Sequence, residues 1–237
     1  MLDYQLFKSD RRKTLSLQVK NGEVIVRAPT YLSHVEIEQF ITRKSLWLKE
    51  KLDLHKNQPK ISKLNFLLGD TIHVLGERKT LNVSYGKKNE VINQVDNILV
   101  ILSFRSVEND CSGEHKKQPA LVKKQLELWF KSQLLSYLDD KLSFFSENIG
   151  LYFNSVKVRQ YKSRWGSCNN KGELSFNYLL MMTPFDVIDY VIVHELCHLK
   201  HLNHSQSFWS LVNEQYPDYL SAKAWLKANN QSLIWHL

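Results

Sequence analysis

Residues 183–209, TPFDVIDYVIVHELCHLKHLNHSQSFW, decide the fold of this 237-residue chain. Thr183 can cap a helix, Pro184 suits the first helical position and Asp186 completes a start that resembles a capping box. The pattern therefore predicts a helix from residue 184 to about residue 202. Its apolar side chains spread over most of the circumference: Ile188, Val191, Ile192, Val193, Leu196 and Leu199. Such a helix is buried nearly all round, so polar groups inside it need partners.

His194, Glu195 and His198 stand inside this apolar helix in the arrangement H-E-x-x-H. Histidines four residues apart lie about 40° apart around the axis and ~6 Å apart along it, so both rings can bind one ion from one face. Glu195 is turned by about 100° from His194, where it can reach a water beside the metal rather than the metal itself. The spacing thus predicts two metal ligands and a general base.

A catalytic zinc ion usually takes three protein ligands and keeps one position open. We favour His204 as the third ligand, because Asn203 before it can end the helix in a left-handed conformation and turn the chain back. Glu214 is an alternative, on a following helix that Ser205 would cap. His201 is a further alternative, but it lies about 4.5 Å farther along the axis than the second histidine of the motif, so we expect it on the surface or beside the ligands.

Composition and charge limit the class of protein. A mass of 27.9 kDa, 43% hydrophobic residues and a mean hydropathy of −0.35 fit one or two folded, soluble domains. The balance of 32 basic and 24 acidic residues gives a net charge of +8, which favours anionic partners. No stretch reaches the ~20 apolar residues that span a bilayer, and residues 1–13 do not resemble a signal peptide, so we predict a cytoplasmic protein without membrane contact.

The three cysteines lie far apart in the sequence. Cys111, Cys168 and Cys197 form no C-x-x-C pair. Their odd number and spacing argue against a disulfide framework and against a cysteine-based zinc site, so we expect reduced cysteines in the core or in loops.

The pattern of strands and helices predicts an α+β protein with two domains, residues 1–110 and residues 119–237, joined by a polar linker. The first domain is expected to be β-rich with one helix, which Ser33 caps. Its predicted strands are residues 14–19 and 23–27, joined at Asn21-Gly22, and later residues 71–75, 81–85 and 98–102. The second domain is expected to contain a long helix over residues 121–142 and strands at residues 156–159 and 173–177.

Several stretches of the chain match one known family. They are HELCHLKHLNHSQSFW at 194–209, RWGSC at 164–168, ELSFNYLL at 173–180 and RRKTLSLQVKNGEVIVRAP at 11–29. The chain resembles the bacterial YgjP-like metallopeptidase-type family, related to the SprT-like and WLM zincins. The resemblance implies a zincin-like fold in which His194, His198 and His204 bind one zinc ion and Glu195 is the base; iron or manganese in place of zinc is left open.

The same resemblance suggests where a substrate would bind. In zincins the strand that borders the cleft pairs with an extended peptide, and the family places residues 173–177 there, which makes Ser175 and Asn177 predicted substrate-binding residues. Arg164 and Trp165 would reach the cleft from the loop before that strand, where a guanidinium can stabilise an oxyanion or bind a phosphate. The alternative is that Trp165 packs in the core and Arg164 binds carbonyl groups.

These features predict a zinc-dependent hydrolase that cleaves peptide bonds in peptides or proteins. One alternative keeps the metal site but hydrolyses nucleoside triphosphates as a pyrophosphatase, with Arg164 and lysines on the phosphates. Another is a DNA-associated, SprT-like protein with a basic surface. The apolar residues 234–237 are expected to dock on the body of the protein or, alternatively, to place His236 in the cleft. The sequence leaves the oligomeric state open.

Overall fold

The computed structural model describes residues 3–20, 22–57, 64–105, 118–233 and 235. Contacts divide the chain into two compact units, Met1–Ser62 and Lys63–Leu237. Helices and mixed sheets occur in the same chain, which confirms the predicted α+β fold with a β-rich N-terminal region.

The first unit is a small sheet with two helices. Its elements are β1 (Tyr4–Lys8), β2 (Ser16–Lys20), β3 (Glu23–Ala28), α1 (His34–Arg43) and α2 (Ser45–Asn57). The strand order is β1-β3-β2, with β1 parallel and β2 antiparallel to β3. The predicted hairpin of β2 and β3 is confirmed, whereas β1 was not predicted. Asn21 of the predicted turn lies outside the described residues.

Helix α1 begins at the predicted cap, Ser33, which forms a capping box with Glu36. The hydroxyl of Ser33 accepts a hydrogen bond from the backbone N–H of Glu36, whose carboxylate accepts one from the N–H of Ser33. Ile37 and Leu48 pack into the small core of this unit. The prediction of one continuous helix is wrong, because the backbone leaves the helical conformation at Lys44 (φ −102°, ψ 10°) and α2 starts afresh after it.

The second unit contains two sheets and four α-helices in the described residues. Its elements are β4 (Thr71–Val74), β5 (Glu77–Gly86), β6 (Glu90–Asn93), β7 (Asn97–Ser103), α3 (Gln118–Ile149), β8 (Ser155–Arg159), β9 (Gly166–Cys168), β10 (Glu173–Asn177), a 3₁₀ helix (Tyr178–Met182), α4 (Phe185–Cys197), α5 (Gln206–Gln215) and α6 (Tyr219–Leu233). The sheet orders are β4-β5-β7-β6 and β8-β10-β9. Strands β6 and β9 were not predicted.

One hydrophobic core joins the four-stranded sheet to the helices of this unit. Leu81 and Val100 of the sheet belong to the same buried cluster as Leu126 of α3 and Ile192 of α4. The boundary between the two compact units therefore follows Ser62, whereas the predicted domains are residues 1–110 and 119–237. The domain assignment itself stays a prediction, and residues 106–117 of the predicted linker lie outside the described residues.

Helix α4 is buried on most of its circumference, as predicted, but its ends differ from the prediction. Its N-cap is Pro184, which makes no side-chain cap, and the Thr183 hydroxyl donates instead to the carbonyl of Leu180 at 2.8 Å. The predicted capping box is therefore wrong. The helix ends at Cys197, five residues earlier than predicted, and His198 is its C-cap. No helix of the described residues has a stretch long and apolar enough to cross a bilayer.

The turn between β4 and β5 docks onto the start of α4. Leu75 and Gly76 have positive φ angles of 52° and 84°, as a two-residue type I′ turn needs. Their N–H groups donate to the carbonyl groups of Met181 and Met182 at 2.7 Å and 3.1 Å. A Cβ atom on Gly76 would lie 2.7 Å from Cγ of Pro184. Glycine is thus required both by the backbone conformation and by the close contact.

We expect Gly76→Ala to lower the free energy of unfolding by about 3 kcal/mol, because it combines left-handed strain with a clash on Pro184. Gly69→Ala is the matched control: Gly69 has φ 87° and no atom within 4 Å of its added Cβ. It should cost only about 1 kcal/mol, from strain alone. Urea unfolding measures both values. Equal losses of unfolding free energy in the two variants would show that Pro184 moves aside without an energetic penalty.

Candidate metal centre

Three imidazole nitrogens converge beside α4. His194 and His198 come from the C-terminal turn of the helix, and His204 comes from the loop that joins α4 to α5. The Nε2 atom of His204 lies 3.0 Å from Nε2 of His194 and 3.2 Å from Nε2 of His198. Among the described residues, these three form the group of side chains that can hold a metal ion.

The spacing of these nitrogens fits a divalent transition metal. Zn–N bonds of about 2.0–2.1 Å in a tetrahedron separate the ligand nitrogens by about 3.3 Å, close to the distances between the Nε2 atoms. A neutral imidazole carries a single N–H, so three such nitrogens aimed at one point cannot all be satisfied by one another. The donor set is therefore suited to a cation, and imidazole is a common ligand of zinc.

The ring of His198 is held in the tautomer that a metal ligand needs. Its Nδ1 atom lies 2.9 Å from the carbonyl oxygen of His201. A carbonyl oxygen only accepts, so Nδ1 carries the proton and the Nε2 lone pair points to the site. His201 thus contributes its backbone rather than its ring. The Tyr190 hydroxyl lies 3.5 Å from Nδ1 of His194.

Phe208 lies against all three imidazole rings. Its ring centroid is 4.9 Å from that of His194, 4.4 Å from that of His198 and 4.9 Å from that of His204. Phe208 is fully buried in the first turn of α5, where its N–H donates to the Ser205 hydroxyl that caps the helix. The predicted cap is confirmed, and it brings Phe208 beneath the rings.

The electrostatics of the site favour the neutral form of two of the imidazoles. Burial, followed by the neighbouring His198 and His204, lowers the pKa of His194 to about 3. Burial and His198 also lower the pKa of His204. Both rings are therefore in the uncharged form that binds metals at neutral pH.

Glu195 lies beside the nitrogens and is buried, with 5% of its surface exposed. Burial raises the pKa of Glu195 to about 8, against a smaller lowering by the positive charge of Arg164. Strand β9 packs directly on this side chain, since a Cβ atom on Gly166 would lie 2.5 Å from Oε1 of Glu195. Gly166 therefore leaves the space that the carboxyl group occupies. This contact was not predicted from the sequence, although Gly166 belongs to the R-W-G-S-C motif.

A cavity of about 420 Å³ opens onto these groups. Residues 164–168 line it together with the three histidines and Glu195, so Arg164 and Trp165 lie where the sequence predicted. Tyr190 also lines the cavity. The metal ligands predicted from the sequence and the predicted base are thus brought together around one space.

Ser175 and Asn177 do not line this cavity; both are buried in β10. The Asn177 side-chain amide donates to the carbonyl groups of Tyr161 at 3.1 Å and Arg164 at 3.2 Å. Asn177 therefore holds the R-W-G-S-C loop in place. The prediction that β10 accepts a peptide as a further strand is wrong, because β10 is the central strand, with β8 on one side and β9 on the other.

Glu214, the other predicted alternative for the third ligand, is not part of the metal-binding group. Glu214 is exposed on α5, and its charge acts on buried Cys197. Trp235 is buried against Phe66, Phe130 and Tyr178 in the core. His236 and Cys111 lie outside the described residues, while Cys168 and Cys197 are free thiols.

A buried H-E-x-x-H helix with a third histidine from the following loop is typical of metal-dependent hydrolases of the zincin class. The family model described as "YgjP-like, metallopeptidase domain" matches residues 13–229. The chain is a member of the YgjP-like metallopeptidase family.

Two solved structures are similar to part of the chain. They are the metallopeptidase zymogens abylysin of Pyrococcus abyssi and jannalysin of Methanocaldococcus jannaschii. The identities are 23% and 18%, over 40% and 38% of this chain and 95% of each of those chains, with TM-scores of 0.37 and 0.33. A comparison with curated proteins gave no match.

We expect His204→Ala to lower the affinity for zinc by more than about 100-fold, because it removes a ligand rather than a supporting group. His201→Ala is the matched control from the same loop, and it should change the affinity little because the carbonyl group that binds His198 remains. Competition with a chromophoric chelator measures both affinities. Equal losses would contradict the assignment of the third ligand.

The metal-free Glu195→Gln variant should be more stable than the metal-free parent by more than about 1 kcal/mol near neutral pH. Folding raises the pKa of Glu195 from its usual 4.5 to about 8, so the unfolded chain ionises first. The stabilisation is therefore absent well below pH 4.5, grows as the pH rises and is complete above about pH 8. Urea unfolding across this range measures it. Glu147→Gln on the exposed side of α3 is the control. A difference in unfolding free energy between Glu195→Gln and the parent that does not change with pH would contradict the burial effect.

Proposed function

We propose that this protein is a zinc-dependent peptidase in which His194, His198 and His204 hold the ion and Glu195 is the general base. The observation that supports this most is the convergence of three Nε2 atoms beside a buried carboxyl group in an open cavity. Membership of a metallopeptidase family supports the cleavage of peptide bonds. The proposed substrate is therefore a peptide or an unfolded protein.

A bound zinc ion would supply a Lewis acid that polarises the substrate carbonyl and makes water more acidic. Glu195 takes a proton from the attacking water as the new C–O bond forms. It then passes this proton to the leaving nitrogen as the C–N bond breaks. Because burial raises the pKa of Glu195 towards neutrality, the group can both accept and return the proton.

Strand β9 supports the binding of an extended peptide. Asn177 N–H donates to the carbonyl of Trp165 at 2.8 Å, and hydrogen-bonded positions alternate along an antiparallel pair. Ser167 therefore also turns its backbone towards β10, whereas Gly166 and Cys168 turn theirs towards the free edge beside the cavity. A peptide strand can add to this edge through main-chain hydrogen bonds. β9 thus takes the role that the sequence analysis gave to β10.

Membership of a metallopeptidase family favours the cleavage of peptides over the hydrolysis of nucleotides and over association with DNA. Hydrolysis of nucleoside triphosphates is measured beside hydrolysis of protein in the experiment below. The location in the cytoplasm stays a prediction.

Glu195→Gln should keep its zinc and lose at least about 100-fold in kcat, because the amide cannot accept the proton. Gly166→Ala should also keep zinc and lower kcat, since its methyl group displaces the carboxyl group. Elemental analysis gives the zinc content, and hydrolysis of a denatured protein and of nucleoside triphosphates gives the activity. A fully active Glu195→Gln enzyme would overturn the assignment of the base. Cleavage of nucleotides without any cleavage of protein would overturn the choice of substrate.

A further inference from the structure

The charges that surround the candidate metal centre are unevenly distributed. Arg164 lines the cavity and acts on Glu195, while Lys223 of α6 acts on His194 and His204. Among the described residues that line the cavity, the one carboxyl group is Glu195, and it is buried. The exposed charges at the site are therefore positive.

Arg164 lies on a loop that several hydrogen bonds hold in place. The Asn177 amide binds the carbonyl groups of Tyr161 and Arg164, and the Tyr161 hydroxyl lies 2.9 Å from the hydroxyl of Ser167. The guanidinium stacks over the ring of Tyr161, 5.3 Å from its centroid. Its side chain is exposed, so the donors remain accessible to a ligand. The loop thus presents a guanidinium at the cavity wall. Because these contacts already order the loop, little conformational entropy is lost when a ligand binds.

Lys223 is placed at a different part of the site. Its ammonium group lies 3.9 Å from the ring centroid of Trp209, a favourable cation–π contact. The same ring also stacks on two aromatic neighbours, His204 at 5.5 Å and Tyr219 at 5.6 Å. Lys223 acts on the histidines, whereas Arg164 acts on Glu195. A substrate in the cavity would therefore meet Arg164 in its lining and have Lys223 nearby, next to the ring that stacks on His204.

We propose that Arg164 and Lys223 make this site selective for peptides that carry aspartate or glutamate close to the scissile bond. A carboxylate can accept two parallel hydrogen bonds from the Arg164 guanidinium, and a second carboxylate can pair with the Lys223 ammonium. Lysine or arginine at the same positions of the peptide meets like charge and is disfavoured. This inference rests on the proposed peptidase function and assigns its substrate class.

The test uses the zinc-loaded, full-length protein and three sets of peptides. The sets are identical except that the residues flanking the scissile bond are glutamate, glutamine or lysine. We expect kcat/KM to fall about two- to tenfold from glutamate to glutamine, and further to lysine. The differences should shrink as the salt concentration rises, because added ions screen the interaction. Binding of the same peptides to zinc-loaded Glu195→Gln should follow the same order and does not depend on turnover.

Variants of Arg164 and Lys223 connect the preference to these two residues. Arg164→Ala and Lys223→Ala should each reduce the ratio of kcat/KM between the glutamate and glutamine peptides, and Arg164→Glu should favour the lysine peptides. Lys124→Ala, which removes an exposed charge on α3, should leave the ratio unchanged. A ratio taken within one variant cancels any general change in the base that follows from loss of Arg164.

The outcomes separate this inference from the proposed function. If all three peptide sets are cleaved equally well, the protein is a peptidase but the charge selectivity is wrong. If no peptide is cleaved by the zinc-loaded enzyme, the proposed function fails and the inference fails with it. If Lys124→Ala changes the ratio as much as Arg164→Ala does, the preference comes from net charge and not from the site.

Discussion

The contact of three imidazole rings with one buried phenylalanine is the constraint on which the site depends. Histidines on a helix that is enclosed by apolar residues are costly to bury unless their nitrogens find partners. Phe208 packs under His194, His198 and His204 at once, and the Ser205 cap starts α5 at the point that places it there. The turn after α4 and the start of α5 therefore act together, and packing on Phe208 holds the three rings in this arrangement.

A second constraint fixes the acidic group beside these rings. Strand β9 passes so close to Glu195 that a side chain at Gly166 would occupy the space of its carboxyl group. Asn177 holds the loop before β9 by two hydrogen bonds and so determines where Arg164 emerges. The short R-W-G-S-C motif thus contributes to the site in three ways. Gly166 leaves room for the carboxyl group of Glu195, Arg164 supplies a positive charge at the cavity, and β9 has an edge that pairs with no further strand of the described residues. The central strand β10 supports all three features.

Local chemistry made the pairing of two histidines predictable from the sequence, because helical spacing brings His194 and His198 together whatever the rest of the fold does. His204 also joins them, but the reason given for it is wrong. The helix ends at Cys197, and Asn203 does not have the positive φ of a left-handed residue. Long-range pairing was not predictable: β9 has three residues and no apolar alternation, so it exists as a strand because of β10. For the same reason, periodicity could not show that β10 is central rather than an edge strand, and the expected peptide-binding strand was misplaced.

The burial of Trp235 has a consequence for how the protein folds. This side chain fills the space between Phe66 and Phe130, which come from the start and the middle of the second unit. Contacts between residues so far apart in the sequence slow folding, because the entropy of closing a long loop is lost before the contact forms.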